Sequence, residues 1–136
     1  MIAMKVLFVC RQNVGRSQMA AAFYNQLHPG DGGSAGTIVD IPGQKLQDFP
    51  AKRTIAAMRQ LGIDVSQQRR TQLTPALAQG YDKIVVMAEP ENTPGWLAHD
   101  PRTEIWDIKD TKDTQAAETE RIRDQIKARV EALWPT

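Results

Sequence analysis

The first apolar run, Val6-Leu-Phe-Val9, is β-rich and hydrophobic on both faces, as a strand buried inside a parallel sheet should be. The seven residues Cys10 to Arg16 follow, and then the period changes. Met19, Phe23 and Leu27 recur every four residues in Ser17-Gln-Met-Ala-Ala-Ala-Phe-Tyr-Asn-Gln-Leu27, which predicts an amphipathic helix stopped by Pro29-Gly30-Asp31-Gly32-Gly33. Strand, tight loop and helix adjoin without a spare residue.

Further along, Thr37-Ile-Val-Asp-Ile41 reads as a short second strand closed by Pro42-Gly43. Pro50 opens a predicted helix carrying Ile55, Met58, Arg59 and Leu61, ended by Gly62. Thr74-Pro75 is an N-cap followed by a first-turn proline. Tyr81 to Ala88 predicts a strand, and Pro90 and Pro94-Gly95 a loop. Glu104 to Ile108 predicts a last short strand. Thr114 to Leu133 predicts a long helix whose apolar stripe is Ile122, Ile126, Val130 and Leu133. Strands alternating with helices imply one parallel sheet covered on both faces. No repeat, low-complexity tract or linker interrupts the 136 residues, so residues 1–136 are expected to form a single domain.

Composition narrows the function classes. With 17 basic and 16 acidic residues the net charge is +1, which gives no bulk electrostatic case for nucleic acid or a membrane surface. The N-terminal apolar stretch is too short to span a membrane and lacks a signal-peptide cleavage site, so a cytoplasmic protein is expected. The single cysteine excludes an internal disulfide. A lone cysteine is more often a small buried hydrophobe than a reactive group, so its neighbours must argue for reactivity.

They do. Cys10 ends a buried strand, where open α/β sheets bind ligands. Between it and the helix, successive N–H groups of Arg11, Gln12, Asn13, Val14, Gly15, Arg16 and Ser17 can point into one concavity, an anion nest beside the positive end of a helix. Asn13 and Gly15 tolerate left-handed dihedrals. Arg16 brings a planar two-donor fork. Helix N-termini and nearby cations favour a thiolate, which Ser17 can hydrogen-bond, unless Ser17 is simply an N-cap. Residues 1–30 hold Lys5, Arg11 and Arg16 and no acid.

The stretch Val6-Leu-Phe-Val-Cys-Arg-Gln-Asn-Val-Gly-Arg-Ser-Gln-Met-Ala20 resembles the low-molecular-weight protein tyrosine phosphatase superfamily, which includes the thiol-dependent arsenate reductases. Ser34-Ala-Gly-Thr37, Leu61 to Val65, Tyr81 to Met87 and Trp106 to Asp110 with Arg121 to Ile126 extend the resemblance over nearly the whole chain. It implies a three-layer, flavodoxin-like fold with a four-stranded parallel sheet in the order 2-1-3-4. It also implies Cys10 as nucleophile, Arg16 as oxyanion clamp, Asn13 shaping the loop and Ser17 steadying the sulfur.

Displacing an alkoxide or phenoxide needs a proton donor, and the family places an Asp, usually before Pro, ahead of the last helix. Asp100-Pro101 has the dipeptide. Asp110-Thr111 has the position: Trp106 precedes Asp110 by four residues and Arg121-Ile-Arg-Asp124 follows, as in reductase-like relatives. Asp110 is preferred, with Asp100 the alternative and Asp107 a weaker third.

Three activities are weighed. A phosphomonoesterase working through a thiophosphate on Cys10 needs one cysteine and no cofactor or metal; His28 and His99 lack ligand spacing and are expected on the surface. An arsenate reductase fits Gln18, where phosphatases of the family usually have Pro, but would need an external thiol or a glutaredoxin-like partner. A non-catalytic oxyanion-binding module is the third. The hydrolase is preferred. Arg69-Arg70 is expected to be a solvated loop, with a rim of the pocket that attracts anions as the alternative; the charges of the last helix are expected on its solvent face, and Trp96, Trp106 and Trp134 as packing residues.

Overall fold

The computed structural model describes residues 4–49 and 51–133. Four strands, β1 (Val6–Cys10), β2 (Gly32–Gly36), β3 (Lys83–Val86) and β4 (Thr103–Ile105), pair in parallel in the order β2-β1-β3-β4. This is the architecture and order that the resemblance implies. Every residue of β1 is buried, as its two-sided apolar pattern requires.

Alternation along β1 sorts the core. Val6, Phe8 and Cys10 face a cluster with Met19 and Phe23 of α1 (Arg16–Leu27), Met58 of α2 (Lys52–Arg59), and Ile122 and Ile126 of α5 (Ala116–Leu133). Leu7 and Val9 face the other way, onto Ala78 of α3 (Pro75–Ala78) and Leu97 of α4 (Gly95–Ala98). Each such large apolar side chain contributes about 1.5–3 kcal/mol by leaving water. The strand order reverses between β1 and β3, so a crevice opens at their carboxyl ends. Cys10 stands there. Among the described residues no helix is long and apolar enough to cross a membrane.

Several expectations change. The second strand is the glycine-rich Gly32–Gly36, not Thr37–Ile41. Glycine is a poor strand former, but here neighbours crowd close: a side-chain carbon at Gly36 would lie 2.7 Å from the Arg11 carbonyl and 2.8 Å from the Asn13 nitrogen. Thr37 and Ile38 instead donate to the carbonyls of Cys10 and Arg11, carrying the chain over the loop and leaving Ile38 and Ile41 exposed. The last strand is Thr103–Ile105, and α5 begins at Ala116. Pro50 lies outside the described residues; the helix it was expected to open begins at Lys52. Leu27, assigned to an apolar stripe, is exposed at the end of α1, and Leu61, expected inside the second helix, is exposed beyond its end at Arg59. Trp106 is packed, 6.0 Å from Phe8 between ring centres, whereas Trp96 is largely exposed and Trp134 lies outside the described residues. His99 is exposed, and His28 is half-buried with its ring 5.1 Å from that of Tyr24.

Candidate active site

The loop from Cys10 to Ser17 takes its shape from one left-handed residue. Asn13 has φ 58° and is fully buried. Gly15 does not share that conformation: its φ is −114°. Its lack of a side chain is needed for space, because a carbon there would overlap the Thr111 hydroxyl. Gly15 is also the N-cap of α1, so Ser17 does not cap the helix and its hydroxyl is free for the sulfur.

The direction of the hydrogen bonds can be worked out. The Thr71 amide N–H donates to Asn13 Oδ1 at 2.7 Å, which fixes the carboxamide. Asn13 Nδ2 then donates to Ser17 Oγ at 2.7 Å. Ser17 Oγ lies 3.0 Å from Cys10 Sγ, and either atom can donate between them. Asn13 takes one lone pair of that oxygen, so the Ser17 proton is available to a Cys10 thiolate.

Arg16 is 2% exposed, and Nη1 is held from three directions. It donates to the Met87 carbonyl just past β3, to the Ile108 carbonyl at 3.1 Å and to Glu89 Oε2 at 2.8 Å. Burial pushes the Glu89 carboxyl up, but the hydrogen bond from Arg16, a backbone hydrogen bond and the Arg16 charge outweigh it and hold it below its ordinary value. Nη2 faces Asp110, whose Oδ2 is 3.6 Å away, while Asp110 Oδ1 accepts from the Lys112 amide at 3.0 Å.

A frame from distant segments supports the loop. Arg70, expected in a solvated loop, is wholly buried: it donates to the Gln12 carbonyl at 3.1 Å and to Gln44 Oε1 at 2.9 Å, pairs with Asp40 at 2.7 Å and stacks over Phe49 at 4.7 Å. Four partners offset the cost of burying the charge. The Arg70 hydrogen bond to Asp40 holds that carboxyl below its ordinary value. Gln18, also buried, donates to the Asn13 and Arg69 carbonyls at 3.2 and 3.1 Å. Arg123 departs from the expected solvent face of α5, donating to Ala57 O at 2.9 Å and Gln60 Oε1 at 2.7 Å, and so ties α5 to α2.

A cleft of about 860 Å³ opens over the loop. Cys10, Arg11, Gln12, Val14, Gly15 and Arg16 line it together with Asp110 and Thr111. Asn13 and Ser17 lie beneath, acting through the loop. Asp100 is not on the cleft: it grips Arg102 through both oxygens, at 3.0 and 2.7 Å, and those hydrogen bonds bring it from 3.8 to about 2. Asp107 is exposed and does not line the cleft either. Glu89 and the Thr71 amide were not picked out in the sequence as parts of the site, and Arg70 was considered only as a solvated residue or an anion-attracting rim, not as the buried support it is. Arg70 carried the one available signal, an arginine in a mostly polar loop.

A buried cysteine beside a hydroxyl and a buried arginine, on one cleft at the switch point of a parallel sheet, suits a class: cysteine-based enzymes acting on tetrahedral oxyanions. Residues 5–136 match the low molecular weight phosphotyrosine protein phosphatase family, and the chain belongs to it. It is 33% identical over 132 residues to the glutaredoxin arsenate reductase of Synechocystis sp., with 95% of each chain covered. It is 30% identical over 140 residues to the probable low molecular weight protein-tyrosine-phosphatase EpsP of Ralstonia nicotianae, covering 96% of this chain and 93% of that one. A solved arsenate reductase in the phosphate binding state superposes with a TM-score of 0.77 at 32% identity, covering 96% of each chain. Phosphatases and arsenate reductases thus both stand among its relatives, and the family is one of enzymes.

Proposed function

We propose that the chain is a phosphomonoester hydrolase that works through a thiophosphate on Cys10. The observation that carries this reading is the convergence of Cys10, Arg16 and Asp110 on one cleft in a chain with a single cysteine. The Cys10 thiolate attacks phosphorus, and the P–O bond to the leaving group breaks. The loop amides from Arg11 to Ser17 and the free edge of Arg16 hold the equatorial oxygens, so charge neutralisation and alignment supply most of the rate. Asp110 gives its proton to the departing oxygen. As a carboxylate it then takes a proton from water, which attacks phosphorus and expels the Cys10 thiolate onto the Ser17 hydroxyl. No second thiol takes part. An unpaired reactive cysteine suits a reducing compartment, and we assign the enzyme to the cytoplasm.

A second reading is favoured by two observations, the buried Gln18 and the 33% identity to a glutaredoxin arsenate reductase. Cys10 would form an S–As(V) adduct. An external thiolate would then attack Cys10 sulfur, leaving the bonding pair on arsenic as arsenite and creating a mixed disulfide, which a second thiol or a redoxin reduces.

Turnover of p-nitrophenyl phosphate, measured beside arsenate reduction with glutathione or a glutaredoxin, separates the two. Phosphate release by the wild type and none by Cys10→Ser is the expected result. Turnover confined to arsenate plus thiol would overturn the hydrolase reading in favour of the second.

A further inference from the structure

The cleft has more room than one tetrahedral oxyanion needs, so part of it must receive what the oxyanion is attached to. Its lining is biased: five side chains are basic and three acidic, in a chain of net charge +1. Elsewhere many cations have carboxylate partners, as in Lys83–Glu104 at 3.0 Å, Arg102–Asp100 at 2.7 Å and Lys109–Glu118 at 2.7 Å.

Three cations of the cleft are different. Among the described residues, none of Arg11, Lys52 and Lys112 has a hydrogen bond or an ion pair through its side chain. Arg11 goes further, since its Nε is buried with no partner. A buried donor left unpaired costs free energy and calls for an explanation. Nor is Arg11 loosely placed: its carbonyl accepts from Ile38 N at 2.8 Å, one residue from the nucleophile. The acids of the cleft do not serve it. Asp110 is directed at Arg16 and the Lys112 amide, and Glu120 accepts from Gln60 at 3.0 Å.

We propose that Arg11, with Lys52 on the wall of the same cleft, forms a second anion subsite that takes a carboxylate carried by the leaving group. The subsite deepens the hydrolase reading and rests on it: the oxyanion sits over Cys10, and a carboxylate on the organic part meets the guanidinium of Arg11. Such a pairing is a charge-assisted hydrogen bond in a partly desolvated place, and it satisfies the idle Nε.

Calorimetric titration with two size-matched, non-hydrolysable probes tests this on the wild-type protein. 3-Phosphonopropionate is expected to bind about tenfold more tightly than propylphosphonate, the scale of one hydrogen bond to a charged group. Arg11→Gln should bring the ratio close to one, Arg11→Lys should restore part of it, and Lys52→Gln should lower it less. Added salt should shrink the wild-type ratio. Equal affinities in the wild type, or a full ratio kept in both Arg11→Gln and Lys52→Gln, would overturn the subsite. Failure of the hydrolase reading looks different: no ester releases phosphate, whatever the phosphonate ratio.

Discussion

The two walls of the cleft are built differently. The Cys10–Ser17 side is buried and held from outside by Thr71, Arg70 and Gln18, with Arg16 anchored on Glu89 and two carbonyls. The opposite side, around Asp110 and Thr111, is half-exposed, and the Asp110 carboxylate has one backbone donor and a loose approach to Arg16. On the proposed hydrolase mechanism, rigidity is invested where the anion must be met by many donors at once, and freedom remains where a proton must move to leaving groups of different shapes. The proposal thus divides the labour: the first wall would determine whether chemistry occurs, the second with which leaving group.

The comparison breaks most readily at Arg16. Arg16→Lys keeps the charge but loses the fork that serves Glu89 on one side and the anion on the other. It should lower kcat/KM for p-nitrophenyl phosphate on the order of a thousandfold, and by similar factors for any other ester. An effect that varied strongly with leaving group would show that the rigid wall is not the uniform one.

Asp110→Asn should cost about a hundredfold with phenyl phosphate, whose leaving group needs the proton, and much less with p-nitrophenyl phosphate. Equal losses would remove Asp110 from the acid role. Asp100→Asn is the control, with turnover near that of the wild type and a lowered Tm. Because Asp100 is depressed to about 2, its stabilisation is full above the ordinary carboxylate range and is lost as pH falls toward 2. The Tm difference between wild type and Asp100→Asn should therefore be constant near neutrality and close below about pH 4. A difference that grew on acidification would contradict the Arg102 pairing.

The smallest expected effect joins the walls. Gly15→Ala would drive a methyl group into the Thr111 hydroxyl, costing about 1–3 kcal/mol of stability. Thr111→Ser keeps that hydroxyl and should not rescue it, whereas Thr111→Ala should. Thermal unfolding of the double variants reads this directly.

What could be read in the sequence follows the same division. Cys10, Asn13, Arg16 and Ser17 sit in eight consecutive residues, so their chemistry is visible in their spacing. Asp110 needed the resemblance, since a carboxylate a hundred residues away has no local mark. Arg70 and Glu89 come from distant segments and acquire meaning only when the sheet brings them under the loop, and nothing in Arg69-Arg70 distinguishes a buried cation from a wet one. The missed second strand has a related cause: Gly32–Gly36 is chosen for closeness to the loop and to Tyr81, against its intrinsic propensity, while Thr37–Ile41 has the propensity and none of the pairing. Gly15 was expected to bend the chain, and is instead required so that two loops can touch.

The orientation of the Asn13 carboxamide beneath Ser17 and Cys10 is set by the amide of Thr71. That donor belongs to the main chain, so nineteen of the twenty amino acids supply it equally, and substitution at position 71 leaves the instruction unread by selection on side chains. Only proline removes it. The orientation of the buried carboxamide is thus inherited from the path of the backbone, which makes it tolerant of sequence drift and sensitive to any insertion that shifts this segment by one residue.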